Sequence, residues 1–165
     1  MKKETKKQLL IGVALVLELL FLLLYLNGRI DRLLDSDMSS EMILGQLLAR
    51  NNGILSDQWY YSTELRVLNT QLIYALFFRL SSNWHFVRMA STLVLWCVLI
   101  ASYGVLCRVM GCKKSFGVTA LLLAAPVSES YFRFVLAGVY YVPHLAIAFA
   151  ALALNEAYFK AKPDR

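Results

Sequence analysis

Charged residues, cysteines and repeats are all scarce in this chain, and each scarcity excludes a class of protein. Charged residues make up 17% of the 165 positions and hydrophobic residues 59%, and the mean hydropathy is +0.56. This balance excludes an ordinary soluble domain and indicates a membrane protein. The three cysteines lie in or near a single apolar run, so they form neither a disulfide framework nor a zinc pattern. Internal repeats and low-complexity tracts are also missing.

The net charge of +6 does not indicate nucleic-acid binding, because the basic residues follow a membrane pattern. Lysine is missing from every segment predicted to lie outside the cell, where the basic residues are all arginine. The others flank apolar runs in three clusters: Lys2, Lys3, Lys6 and Lys7; Arg108, Lys113 and Lys114; and Lys160, Lys162 and Arg165. Cytoplasmic segments carry such an excess of Lys and Arg. We therefore expect a multi-pass plasma-membrane protein with both termini in the cytoplasm and no nucleic-acid partner.

Four apolar runs predict an all-α membrane domain that covers residues 1–165. The first, residues 8–26, contains one charge and is long enough to cross a bilayer core of about 30 Å. No small-residue cleavage site follows it, which favours a retained anchor over a signal peptide. The other three runs are residues 86–106, 115–127 and 134–154. The third is short, so a re-entrant segment is the alternative to a full span.

The segment 27–85 between the first two spans is predicted to be an outer loop with two amphipathic helices at the membrane surface. Residues 38–50 carry apolar side chains at three- and four-residue steps, and Asn51-Asn52-Gly53 is suited to end that helix. The second helix is predicted from about Ser62 to Leu80. Its first half is too polar to cross the membrane, so we expect it to lie on the membrane surface or to dip into it.

An acidic cluster directly after the first span is the main candidate site, and it consists of Asp31, Asp35, Asp37 and Glu41. In an extended segment Asp35 and Asp37 point to the same side, so they can share a divalent cation such as Mg²⁺ or Mn²⁺. Either can instead act as a general base on an acceptor hydroxyl. The structural alternative is that Asp37 is the N-cap of the next helix.

Glu129, in the predicted outer turn between spans three and four, is a candidate to complete a metal site with Asp37. Its alternative is an ion pair with Arg133, four residues later. Arg66 and Arg88 are candidates for binding a substrate phosphate or pyrophosphate, because a guanidinium matches it in bidentate fashion. The alternative for these arginines is snorkelling at the membrane interface.

Glu18 and His144 lie near the middle of spans one and four, and they are predicted to form a buried polar pair. An ionisable residue inside a span is costly and therefore invites a functional hypothesis. The pair fits either a proton relay in a small transporter or an interhelical hydrogen bond that assists packing.

Asp35-Ser36-Asp37 follows the first span, and Ser128-Glu129-Ser130 lies between the third and fourth. With its large first outer loop, this arrangement resembles the N-terminal part of the GT-C fold glycosyltransferases. Residues 52–55 and 59–66 also resemble the loop of uncharacterised bacterial members. The resemblance implies sugar transfer from a polyprenyl-phosphate-linked donor at the outer membrane face, with Asp35 and Asp37 in the catalytic position and Glu129 in the second acidic motif.

Two features depart from that family. Its members continue through several more spans, whereas this chain ends after four predicted spans, so 165 residues alone are not expected to suffice for an enzyme. Tyr140-Tyr141 also stands where some relatives carry further acids. The chain is thus predicted to be an N-terminal module, a truncated reading frame or a non-catalytic relative. The rival functions are a non-enzymatic subunit that assembles with another membrane chain and a small proton-coupled transporter.

Overall fold

The computed structural model describes residues 2–61 and 69–161, and over those ranges the chain forms helices and no strands. The α-helices of the described residues are α1 Lys2–Asn27, α2 Ser36–Asn51, α3 Thr70–Phe78, α4 Trp84–Met110, α5 Lys113–Ala124, α6 Glu129–Tyr131 and α7 Val142–Ala161. A 3₁₀ turn at Ile30–Leu33 follows α1, and a π-helical segment at Phe132–Ala137 follows α6. The predicted all-α class is therefore confirmed.

Three helical segments are long and apolar enough to cross a membrane: Thr5–Asn27, Trp84–Met110 and Val142–Ala161. A fourth candidate is the pair Lys114–Ala124 and Glu129–Ala137, which is bent by 89°. The part of the chain that the structure describes therefore has three candidate membrane spans, or up to four if the bent pair is one span. Many large apolar side chains of α1 are exposed on the outside of the bundle, as lipid-facing residues are.

The predicted continuous helix over residues 134–154 is wrong. The chain leaves the π-helical segment at Gly138, Val139 adopts a φ of 52°, and the next α-helix begins only at Val142. Pro143 explains why the helix starts there: proline has no N–H to donate and is tolerated in the first turn but not in the helix interior. Pro126 ends the helix of the third run. A residue before proline disfavours the helical conformation, so Ala125 is extended and α5 ends at Ala124.

A helix, α2, is present where the first of the two loop helices is predicted, and its place outside the membrane stays a prediction. It ends as expected, with Asn52 in the left-handed conformation (φ 49°, ψ 31°) and its N–H bonded to the Leu48 carbonyl. Most of the polar first half of the second predicted helix, residues 62–68, lies outside the described residues. The described part is the short helix α3.

Two packing units position the candidate site. In the first, Leu26 of α1 and Trp96 of α4 pack with Leu136 of the π-helical segment, and the Trp96 indole donates to the Leu136 carbonyl at 2.9 Å. In the second, α2 packs on α3 and both cover the start of α4, where Tyr74 and Val87 are buried together. We call the end of the bundle that holds the C-terminus of α1, the 3₁₀ turn and the first turn of α2 the acidic end.

Candidate functional site

Asp35 is the N-cap of α2. Its Oδ1 accepts a hydrogen bond from the Met38 N–H at 2.9 Å, and its backbone carbonyl accepts one from the Ser39 hydroxyl at 2.6 Å. An aspartate N-cap was therefore correctly predicted as the structural alternative, but the wrong aspartate was chosen. Asp37 lies inside the first turn, and Asp35 is the cap. In that turn the exposed Asp37 carboxylate is favoured by the positive end of the helix dipole.

Asp35 and Asp37 line a small cleft at the acidic end, with a volume of about 30 Å³. The other lining residues are Met38, Phe134, Tyr140 and Tyr141. The two tyrosine rings meet edge to face at 5.2 Å, and Tyr141 lies 6.2 Å from Phe134. The break before α7 places these rings here, so the cleft combines two carboxylates with an aromatic wall.

Arg88 lies beside this cleft, and only 2% of its surface is exposed. We call it a brace because its guanidinium connects two neighbouring segments of the chain. Its Nη1 donates to the Ile30 carbonyl at 2.6 Å, and its Nη2 contacts the Leu33 carbonyl at 3.4 Å and the Met38 sulfur at 3.0 Å. One side chain of α4 thereby holds both the 3₁₀ turn and the first turn of α2. Its contacts are with protein groups, and its burial leaves little surface for the substrate phosphate that the sequence suggested.

The other two acids of the cluster have partners away from the cleft. Glu41 is 8% exposed and accepts hydrogen bonds from Asn69 at 3.2 Å and from the Thr70 hydroxyl at 2.9 Å, which joins α2 to α3. Asp31 contacts Nδ1 of His85 at 2.9 Å. The four acids therefore divide into a cleft pair, Asp35 and Asp37, and two residues that connect structural elements.

Tyr74 is fully buried beneath α2. Burial raises the pKa of Tyr74 to about 12, and the neighbouring Arg88 acts in the opposite direction. The phenol is therefore neutral at physiological pH.

Glu129 is the first residue of α6 and is exposed after the Ser128 cap. Within residues 2–61 and 69–161, no three His, Cys, Asp or Glu side chains come together in a way that would hold a metal ion. Phe132, three residues after Glu129, meets the Tyr25 ring of α1 at 5.8 Å. Glu129 thus lies toward the acidic end, and a cation shared with Asp37 stays a prediction.

Glu18 and His144 are not joined. The Oε2 of Glu18 is buried with no hydrogen-bond partner in the described part of the chain, while His144 is exposed, with its ring 6.4 Å from that of Tyr141. Helix α1 packs mainly on α5, whereas α7 packs on α4. The remaining predicted site residue, Arg66, lies outside the described residues.

Sequence reasoning missed the aromatic wall and the role of Arg88. Tyr140-Tyr141 was noted only as a departure from a family pattern, although Gly138 and Pro143 on either side signal a break in the helix. The sequence around Arg88 does not indicate this role, because the residues that Arg88 contacts lie far away in the sequence.

The comparisons with known proteins identify no relative. No protein-family model, no curated protein and no solved structure matches the chain. The resemblance to the GT-C glycosyltransferases is therefore untested by them. A proposal for function has to rest on the geometry of the cleft.

Proposed function

We propose that the chain is a membrane glycosyltransferase-like protein of the GT-C type. In this proposal it acts on a polyprenyl-phosphate-linked sugar at the outer membrane face, as the N-terminal part of a larger enzyme. The main observation in support of the proposal is that Asp35 and Asp37 line one cleft together with Tyr140 and Tyr141. Carboxylates accept hydrogen bonds from sugar hydroxyls, and aromatic rings give a sugar an amphipathic platform.

The size of the cleft limits what enters it. Its volume of about 30 Å³ exceeds the roughly 10–15 Å³ that a cavity needs to hold a single water molecule. A single hydroxyl group fits, while the rest of a sugar and its lipid carrier would lie outside along the exposed Tyr141 ring. The cleft is therefore suited to orienting one reacting hydroxyl.

The two carboxylates have different roles in this proposal. Asp35 already uses Oδ1 to cap α2, so its charge is partly committed to the Met38 N–H. Asp37 is exposed and makes no such cap, which suits it to accept the proton of an acceptor hydroxyl as general base. In this proposal Asp37 and Glu129 would supply oxygen ligands to a Mg²⁺ or Mn²⁺ ion, although the described residues form no group of three His, Cys, Asp or Glu side chains that could hold a metal by itself.

The proposal includes four crossings, with the acidic end outside and both termini in the cytoplasm. The distribution of charge supports this orientation. At the acidic end the aspartates lie among arginines such as Arg29 and Arg32, while the described lysines lie at the opposite end with Arg108. Excess Lys and Arg mark the cytoplasmic side of a membrane protein.

Substitution of the cleft acids tests the proposal. Asp37→Asn removes the base, and Asp35→Asn removes a charge while keeping the cap, because Asn caps helices as well as Asp. We expect Asp37→Asn to lower transfer of a labelled sugar from a polyprenyl-phosphate donor by about 100-fold or more in proteoliposomes that contain the whole protein. The control is Asp57→Asn, an exposed loop aspartate. Unchanged transfer in both cleft variants would refute the proposal.

A second candidate, a non-enzymatic subunit of a membrane complex, is favoured by Glu18. A buried carboxyl oxygen without a partner is costly in a span, and a donor from another chain would relieve that cost. In this case Glu18→Leu should weaken recovery of a partner chain in detergent, and Asp37→Asn should not. The opposite pattern would favour the enzyme.

A further inference from the structure

Four helix ends meet at the end of the bundle opposite the cleft, which we call the basic end. A Cβ at Gly117 of α5 would lie 2.6 Å from the Ile11 side chain of α1, so these two helices pack closely where they begin. The Lys160 ammonium of α7 donates to the Val109 carbonyl at the end of α4. The described basic side chains here are Lys6, Lys7, Arg108, Lys114 and Lys160.

A groove of about 410 Å³ opens between α4 and α5 at this basic end. Its lining residues are Ala101, Gly104, Val105, Cys107, Arg108 and Phe116. Gly104 shapes the groove, because a Cβ there would lie 3.2 Å from the Phe116 ring. Most of the lining side chains are thus apolar, and Arg108 is the one charged residue among them.

Arg108 is exposed, and no carboxylate of the described residues pairs with it. A guanidinium that pairs with no described carboxylate and lies beside mostly apolar side chains fits an amphiphile with an anionic head better than a soluble anion. Inorganic phosphate would satisfy Arg108 but would leave the apolar side chains in contact with water. Basic pockets between membrane helices are known to take anionic lipid headgroups.

We infer that this groove binds one anionic phospholipid, with its phosphate at Arg108 and its glycerol and upper acyl chain against Val105 and Phe116. The site lies at the opposite end from Asp35 and Asp37, so it does not depend on the proposed sugar transfer.

Lipid retention by the purified full chain tests the inference. We expect native mass spectrometry to show preferential retention of phosphatidylglycerol over phosphatidylcholine. Arg108→Gln should weaken phosphatidylglycerol binding about fivefold, the contribution expected of one basic residue near a lipid surface. Val105→Trp keeps every charge but fills the groove, and it should lower retention as well. Because Val105 is 53% exposed, the folding of this variant should not be affected.

The control is Arg133→Gln, which removes an exposed arginine outside the groove and should leave retention unchanged. Equal retention of the two lipids by the wild-type protein would overturn the inference. The inference would also be overturned if Arg108→Gln and Val105→Trp both retained phosphatidylglycerol as well as the wild-type protein does. Displacement of the lipid by excess inorganic phosphate would show a phosphate site in place of a lipid site.

Discussion

Replacing Arg88 with methionine should destabilise the protein by about 2–4 kcal/mol. A hydrogen bond to a charged group contributes about 1.5–3 kcal/mol. The bond from Nη1 to the Ile30 carbonyl, at 2.6 Å, should contribute fully, and the contact with the Leu33 carbonyl, at 3.4 Å, much less. Methionine fills similar space, so the loss comes mainly from the charged hydrogen bond that the buried Ile30 carbonyl accepts.

Removal of the guanidinium also removes the cost of burying its charge, which acts against this loss. We expect the loss to dominate because Ile30 is fully buried and its carbonyl has no route to water. Arg88→Lys should recover about half of the stability, since one ammonium can reach one carbonyl but not both.

Unfolding of the purified protein in mixed micelles with increasing SDS measures this free energy. The control is Arg133→Met, an exposed arginine, which should change stability by no more than about 0.5 kcal/mol. If Arg88→Met unfolds like the wild type, the guanidinium is not a brace. If it folds normally but loses affinity for a phosphate-bearing donor, Arg88 is instead the phosphate ligand that the sequence suggested.

Two further predictions concern the contact between α2 and α3. Gly45→Ala should destabilise by about 1–2 kcal/mol, because its Cβ would lie 2.6 Å from that of Tyr74 and the overpacking outweighs the gain in helix propensity. Gly12→Ala, with nothing within 4 Å, should be neutral or slightly stabilising in the same unfolding assay. In the unfolded protein the Tyr74 phenol ionises near pH 10, whereas in the folded protein its pKa is raised to about 12. Stability should therefore fall as pH rises from 10 toward 12. Tyr74→Phe should remove that part of the pH dependence, and an unchanged pH profile in Tyr74→Phe would contradict it.

Local signals explain why some elements could be predicted from the sequence. Helix α2 has a regular apolar pattern, an aspartate at its start and Asn52 at its end, all within a few residues of one another. The turn after α4 likewise depends on Gly111, which adopts a φ of 77°. Hydropathy did not predict the helix break at residues 138–141, because the chain stays apolar there. Only Gly138 and Pro143 mark the break.

The cleft could be predicted only in part, because its two halves are far apart in the sequence. The acids were identified from their position after the first span. Their pairing with Tyr140 and Tyr141 depends on the break before α7 and on how that break packs against α2, where Met38 lies against Gly138. No short stretch of sequence carries that information. The role of Arg88 is non-local for the same reason.

Photocrosslinking from the cleft tests the central proposal most directly. A photoreactive phenylalanine at Tyr141, which is 49% exposed, is compared with one at Tyr158, which is 53% exposed near the C-terminus of α7. A labelled polyprenyl-phosphate sugar should crosslink at Tyr141 and not at Tyr158, and unlabelled donor should compete. Equal labelling at the two positions, or labelling that plain phospholipid competes away, would contradict a donor site at the cleft.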